Sequence, residues 1–287
     1  MGAGPDFIVT GPAMAGSRLL SSWLAAHPRI SLPVETGPCA LAPPSAEAPA
    51  AGFRMLGENS RELLQTPEAA SAIAAVRPDC RIVLVLREPV ARAFAHFRHQ
   101  FHMGLETTHD FAAALAQEEL RRAKGWSPLH LYRAGSTYLD GVRRFRLNFG
   151  PDRLLVILHE EIETSPAATF EKLCFFLGLW PDEVAANDAW PPSAAGSAGV
   201  AVGAVCKGAP EPACAPVAQP LHQRAWARFA RTVLPAREPD LCPGVAAALA
   251  RSFAPQVDAI EAELGLSLDP WRTAQPAVGG AASAAGV

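Results

Sequence analysis

Residues Phe7–Pro28 read FIVTGPAMAGSRLLSSWLAAHP, and the fold follows from this stretch. Phe7-Ile8-Val9 is a short apolar run of the kind that forms a buried strand. Gly11 and Gly16 bracket a tight loop, and from Ser17 the spacing turns helical, with Leu20, Trp23 and Leu24 on one face. Strand, glycine loop and helix in succession aim backbone N–H groups and a helix N-terminus at one point, which suits a phosphate or similar anion.

Two further apolar runs, Arg81–Leu86 (RIVLVL) and Leu154–Leu158 (LLVIL), are unbroken. Strands of a parallel sheet covered on both faces look like this. Helices are expected between and after them. One starts at Thr66-Pro67-Glu68 and runs to Val76; another begins near Val90. Asp110 caps a helix that reaches Arg122. A longer one spans Leu129–Phe149, and Ser165-Pro166 opens one that closes at Gly178. Leu221–Val233 and Gly244–Leu264 complete the set, and Ile30–Pro33 reads as a short strand. Strands alternating with helices predict a three-layer α/β fold with a central parallel sheet flanked by helices. The domain is expected over residues 1–272. Pro181–Pro220 reads as a long loop and 273–287 as a low-complexity, disordered tail.

Composition narrows the partners. A net charge of −3 gives no general attraction to nucleic acid or to an anionic membrane, so an anionic ligand needs a local basic site. Lysine occurs only at Lys124, Lys172 and Lys207. No apolar run reaches the roughly 18 residues of a membrane span, and no signal peptide is legible at the N-terminus. The 6 cysteines are scattered without a CxxC pair, which reads as reduced thiols in a cytoplasm rather than a zinc or redox site. Cys206 and Cys214 are spaced to bridge a loop or to stay free. His96, His99 and His102 recur along one helix without the converging ligands that a metal needs.

The opening loop differs from the ATPase pattern GxxxxGK[ST]. Gly11 and Gly16 keep the spacing, but Ser17-Arg18 occupies the Lys-Ser/Thr positions. A kinase reading therefore lacks its phosphate-binding lysine. The stretch instead resembles the 5′-phosphosulfate loop of sulfotransferases that use 3′-phosphoadenosine 5′-phosphosulfate (PAPS): an apolar strand, G-x-x-K-x-G-T, and a helix closing on His27-Pro28. Met14 stands at the lysine position. LVLREPVARAFAH is similar to that family's 3′-phosphate motif, matching at Arg87, Pro89, Arg92, Ala93 and His96, with Ala95 at the serine position. Val34-Glu35 and Gly57-Glu58-Asn59-Ser60 match P-x-K-E and G-E-K-S, each without its lysine. His159-Glu160-Glu161-Ile162 and the helix after it match a structural signature that needs no catalytic explanation.

The resemblance covers about residues 6–272 and implies sulfuryl transfer from PAPS to a hydroxyl or amine of a carbohydrate or small-molecule acceptor, with no metal. It implies that Ala15, Gly16, Ser17 and Arg18 hold the phosphosulfate, that Arg87 holds the 3′-phosphate, and that Lys207-Gly208 closes over the nucleotide. Arg18 would also stand in for the missing lysine. Glu35 would be the general base; read without the family, it is a solvated loop carboxylate. The motif lysines lost at Met14, Val34 and Asn59 keep a second reading open, a sulfotransferase-like fold that binds a nucleotide or partner with catalysis impaired.

Overall fold

The computed structural model describes residues 4–32, 55–60, 63–181 and 238–273. The chain forms two compact units, residues 1–87 with 140–214, and residues 88–139 with 215–287.

The first unit carries the sheet. Its strands are β1 (Phe7–Thr10), β2 (Ile30–Ser31), β3 (Met55–Asn59), β4 (Arg81–Leu86) and β5 (Leu154–Leu158). Their order is β2-β3-β1-β4-β5, and all neighbours pair in parallel. Phe7, Val9, Val83, Val85 and Ile157 are buried with Leu20, Trp23 and Leu24 of helix α1 (Ser17–Ala25). Later in the chain come α2 (Ala69–Val76), α6 (Leu139–Arg153), α7 (His159–Thr164) and α8 (Pro166–Leu177). Phe170, Leu173 and Leu177 of α8 join the same core. The alternate strand residues Ile8, Ile82, Leu84 and Leu86 are at most 1% exposed, so both faces of the sheet are covered. That coverage explains the unbroken apolar runs.

The second unit is helical. It holds α3 (Pro89–His102), α4 (Phe111–Ala116), α5 (Glu118–Ala123), α9 (Pro243–Leu264) and α10 (Asp269–Thr273). Val90, Ala93 and Phe97 pack with Phe111, Tyr132, Leu249 and Phe253. Glu88 caps α3 by accepting from the Val90 N–H at 2.9 Å. A buried ion pair lies beneath α5: Arg121 donates to Glu106 at 2.7 and 3.0 Å, and Tyr132 donates to the same carboxylate at 2.7 Å.

Several expected boundaries shift. Leu129–Tyr138 is not helical but forms short 3₁₀ turns at Pro128–His130 and Ala134–Ser136. Here the side chain of Gln256 takes the backbone groups a helix would use, accepting from the Tyr138 N–H at 2.9 Å and donating to the Ser136 carbonyl at 2.8 Å. Asp110 does cap α4 by accepting from the Ala113 N–H, but the segment to Arg122 is split at Gln117, whose ψ of −8° tilts the chain. The helix expected at Thr66 begins at Ala69, whose N–H turns back to the Thr66 carbonyl at 3.3 Å. Gly57–Asn59, read as motif alone, is an interior strand. Its glycine is required there, since a Cβ at Gly57 would sit 2.2 Å from the Phe7 ring.

Candidate functional site

Parallel pairing sets the location. β1, β4 and β5 run in register, with Thr10 beside Leu84 and Leu86 beside Leu158. The residues that follow them, Gly11, Arg87 and His159, therefore emerge at one edge of the sheet. The chain leaves β1 first toward β3 and later toward β4, so strand order reverses at β1. Open α/β sheets bind ligands at the carboxyl ends of the strands beside such a reversal.

The loop between β1 and α1 is shaped by close approaches. A Cβ on Gly11 would lie 2.3 Å from the Val85 carbonyl oxygen, so only glycine lets the loop cross β4. Gly16 has φ 107°, in the left-handed region, and its Cβ would lie 2.9 Å from Nδ1 of His159. Met14 also has a positive φ, 70°, an uncommon state for a residue with a side chain. Arg87 Nη1 donates to the Met14 carbonyl at 3.0 Å, and His159 Nδ1 stands 3.1 Å from the Ala15 carbonyl.

A trans peptide holds its C=O and N–H on opposite sides. Drawing the Met14 and Ala15 carbonyls toward Arg87 and His159 therefore turns the N–H groups of Ala15 and Gly16 the other way. The Ala15 N–H is taken by the Pro12 carbonyl at 3.1 Å. The Gly16 N–H joins the first-turn N–H groups of Ser17 and Arg18 at the helix N-terminus, where backbone N–H groups point out of the helix. Such a group of donors at a helix N-terminus is an anion cradle.

The side chains around it are mixed. Ser17 is buried at the helix start, and Arg18 and Met14 are exposed. Thr10 Oγ1, Asn59 Oδ1 and Ser60 Oγ, at the same ends of β1 and β3, are buried without hydrogen-bond partners. Buried polar atoms are nearly always partnered, so this group matches a place where a ligand or water completes the bonding. Burial pushes the His159 imidazole below its usual 6.5 and the charge of Arg87 adds to this, whereas Glu163, Glu160 and the Ala15 carbonyl act in the opposite sense. Among the described residues no group of three or more His, Cys, Asp or Glu is placed to hold a metal.

Of the residues singled out in the sequence, Ala15, Gly16, Ser17, Arg18 and Arg87 meet at this edge. Glu35, Lys207 and Gly208 lie outside the described residues, as do Cys206 and Cys214. His96, with its neighbours in α3, sits inside the second unit, bonded to Arg92 at 2.8 Å and Gln100 at 3.2 Å. In the sequence His159 reads only as part of a structural signature after Leu158, with no role at the site. The available signal was its position directly after a buried strand, the same position that marked Arg87.

Comparison with known proteins agrees with this geometry. Residues 54–182 match the model of the Sulfotransferase family. Human bifunctional heparan sulfate N-deacetylase/N-sulfotransferase 3 is 26% identical over 145 residues, 44% of this chain and 15% of that protein. The Caenorhabditis briggsae bifunctional heparan sulfate N-deacetylase/N-sulfotransferase 1 is 25% identical over 198 residues, 61% of this chain and 23% of its own length. The chain thus spans less than a quarter of the length of these curated relatives. A crystal structure of a sulfotransferase from Alicyclobacillus acidocaldarius superposes with a TM-score of 0.68 at 26% identity, covering 94% of this chain and 99% of that one. With its phosphate-type loop and its five-stranded parallel sheet, the chain is similar to sulfotransferases in both sequence and fold.

Proposed function

We propose that the chain transfers a sulfuryl group from PAPS to a hydroxyl or amine of a carbohydrate or small-molecule acceptor. The observation that carries this reading is the Gly11–Arg18 loop, whose Met14 and Ala15 carbonyls are drawn outward by Arg87 and His159 so that the helix-start N–H groups converge. PAPS, when bound, supplies the sulfuryl group and a phosphate leaving group. The N–H groups of Gly16, Ser17 and Arg18 and the Ser17 hydroxyl hold the phosphosulfate, Arg87 faces the 3′-phosphate, and Lys207-Gly208 closes over the nucleotide. Glu35 removes the acceptor proton. As in phosphoryl transfer, most of the catalysis is positioning and charge stabilisation. An amine acceptor on a carbohydrate is supported by the names of the curated relatives.

Met14 favours a second reading. It is neutral and 37% exposed where a cation is needed, so a nucleotide-binding protein with impaired transfer remains the alternative. Calorimetry with adenosine 3′,5′-bisphosphate, AMP and ATP tests the first step. Preference for the bisphosphate over both supports the reading, and equal affinity for all three overturns it. A transfer assay with PAPS and an acceptor panel separates enzyme from binder. If transfer occurs, Glu35→Gln lowers kcat by about 10²-fold, the range for loss of a general base, and an unchanged kcat removes Glu35 from the mechanism.

A further inference from the structure

Both ring nitrogens of His159 face acceptors. Nδ1 is 3.1 Å from the Ala15 carbonyl oxygen, and Nε2 is 3.2 Å from Oε1 of Glu163, one turn along α7. A carbonyl and a carboxylate only accept, and a neutral imidazole has a single N–H. The neutral ring can satisfy one of them, whereas the imidazolium satisfies both. The ring also abuts the anion cradle, with the Gly16 Cα region packed against Nδ1. We propose that His159 is a positioning residue that couples a proton to anion binding at the Gly11–Arg18 loop, becoming doubly protonated when a sulfate or phosphate group occupies the cradle. This rests on the cradle being an anion site, as in the function proposed above.

The charged groups that act on the ring set the balance. Without ligand, burial and Arg87 favour the neutral form, while Glu163 and Glu160 oppose them only in part. Glu163 is 56% exposed, so water screens its contribution. An anion in the cradle adds negative charge beside Gly16, close to the ring, and shifts the balance toward the imidazolium. The neutral ring then keeps its Nδ1 proton on the Ala15 carbonyl, and the incoming proton settles on Nε2 opposite Glu163. By linkage, affinity rises as pH falls through the window between the liganded and free midpoints, and it levels off below the free one.

Inorganic sulfate is the first probe, because it does not titrate between pH 5 and 8; adenosine 3′,5′-bisphosphate is the second. The His159 ring is followed by NMR titration in the unmutated protein, with and without each probe. The expected result is a midpoint raised by the anion; a rise of about one pH unit corresponds to about a tenfold gain in affinity at low pH. His159→Asn retains a donor to the Ala15 carbonyl without a titrating ring. Whatever its affinity at pH 8, it is expected to lack the unmutated protein's gain toward pH 5.5. An unmoved ring midpoint, or parallel affinity profiles for the two proteins, overturns the coupling while leaving the loop as an anion site. Absence of binding by the unmutated protein at every pH overturns the anion site itself and the coupling with it.

Discussion

Arg87 donates from Nη1 to the carbonyl oxygen of Met14 at 3.0 Å, so the residue after β4 fastens the one loop position that combines a side chain with a φ of 70°. The same guanidinium is the cation placed at the C-terminal end of β4. Its loss removes a support from the loop and, on the function proposed above, a charge from the nucleotide site.

Arg87→Ala is therefore expected to weaken adenosine 3′,5′-bisphosphate binding by at least tenfold and to abolish its preference over AMP. Arg87→Lys keeps the charge without the planar fork and is expected to fall between. Calorimetry measures both, and an unchanged preference in the alanine variant removes Arg87 from nucleotide recognition.

Methionine at position 14 offers no hydrogen bond to a leaving phosphate. Its side chain is 37% exposed, so a lysine is accommodated without a packing penalty. Met14→Lys is expected to raise sulfuryl transfer or PAPS hydrolysis by tenfold or more, a fraction of what a preorganised donor contributes. Arg18→Ala is expected to eliminate the activity of the unmutated chain. If Met14→Lys stays inert across an acceptor panel while binding nucleotide firmly, the binding-protein reading prevails.

In the second unit, the side chains of Arg121 and Glu106 are 2% and 0% exposed. Burial raises the Glu106 carboxyl, and the bonds from Arg121 and Tyr132 outweigh it, leaving it below its usual 4.5. Glu106→Ala strands a buried guanidinium and is expected to destabilise by about 3–5 kcal/mol. Tyr132→Phe leaves the ion pair intact and is expected to cost about 1–3 kcal/mol, the range for a buried acceptor that loses a partner. Urea unfolding of each variant checks the order, and equal losses would mean that packing rather than charge dominates there.

Buried histidines predict acid sensitivity. Burial and the neighbouring Arg92 hold His96 well below 6.5, and burial lowers His130 as well. Below pH 6.5 the unfolded chain binds protons that the folded chain does not, so stability is full above that value and falls as pH drops toward the folded midpoints. Each fully differential proton changes stability by about 1.4 kcal/mol per pH unit. Thermal melts from pH 7.5 to 5.5 should show the decline. His130→Gln, which can still donate to the Leu105 carbonyl now 3.1 Å from Nε2, should lessen the slope. An identical slope would assign the acid sensitivity elsewhere.

His96 shows how tertiary context decides chemistry that spacing leaves open. Arg92 donates to its Nδ1, which leaves Nε2–H to donate toward Gln100. Gln100 then presents its oxygen there, a flip that also satisfies the otherwise unpartnered Oε1. A histidine at three-residue spacing with His99 and His102 is thus a neutral core group with two partners.

By itself, the sequence determined the strands at Phe7, Arg81 and Leu154, the Gly11–Gly16 loop, the helix at Ser17 and the parallel α/β class. These are local signals: apolar runs long enough to be buried, glycines that bracket a tight loop, and helical spacing. Tertiary structure decided the rest. Strand order, the placement of β3 inside the sheet and the turns at Leu129–Tyr138 depend on pairings and on a side chain, Gln256, far away in the chain. The site divides in the same way. Gly16 and Arg87 were legible because a motif and a strand end mark them. His159 lies 144 residues from Ala15 and had no motif of its own; only the parallel register of β1, β4 and β5, which brings their carboxyl ends to one edge, sets its ring against the loop.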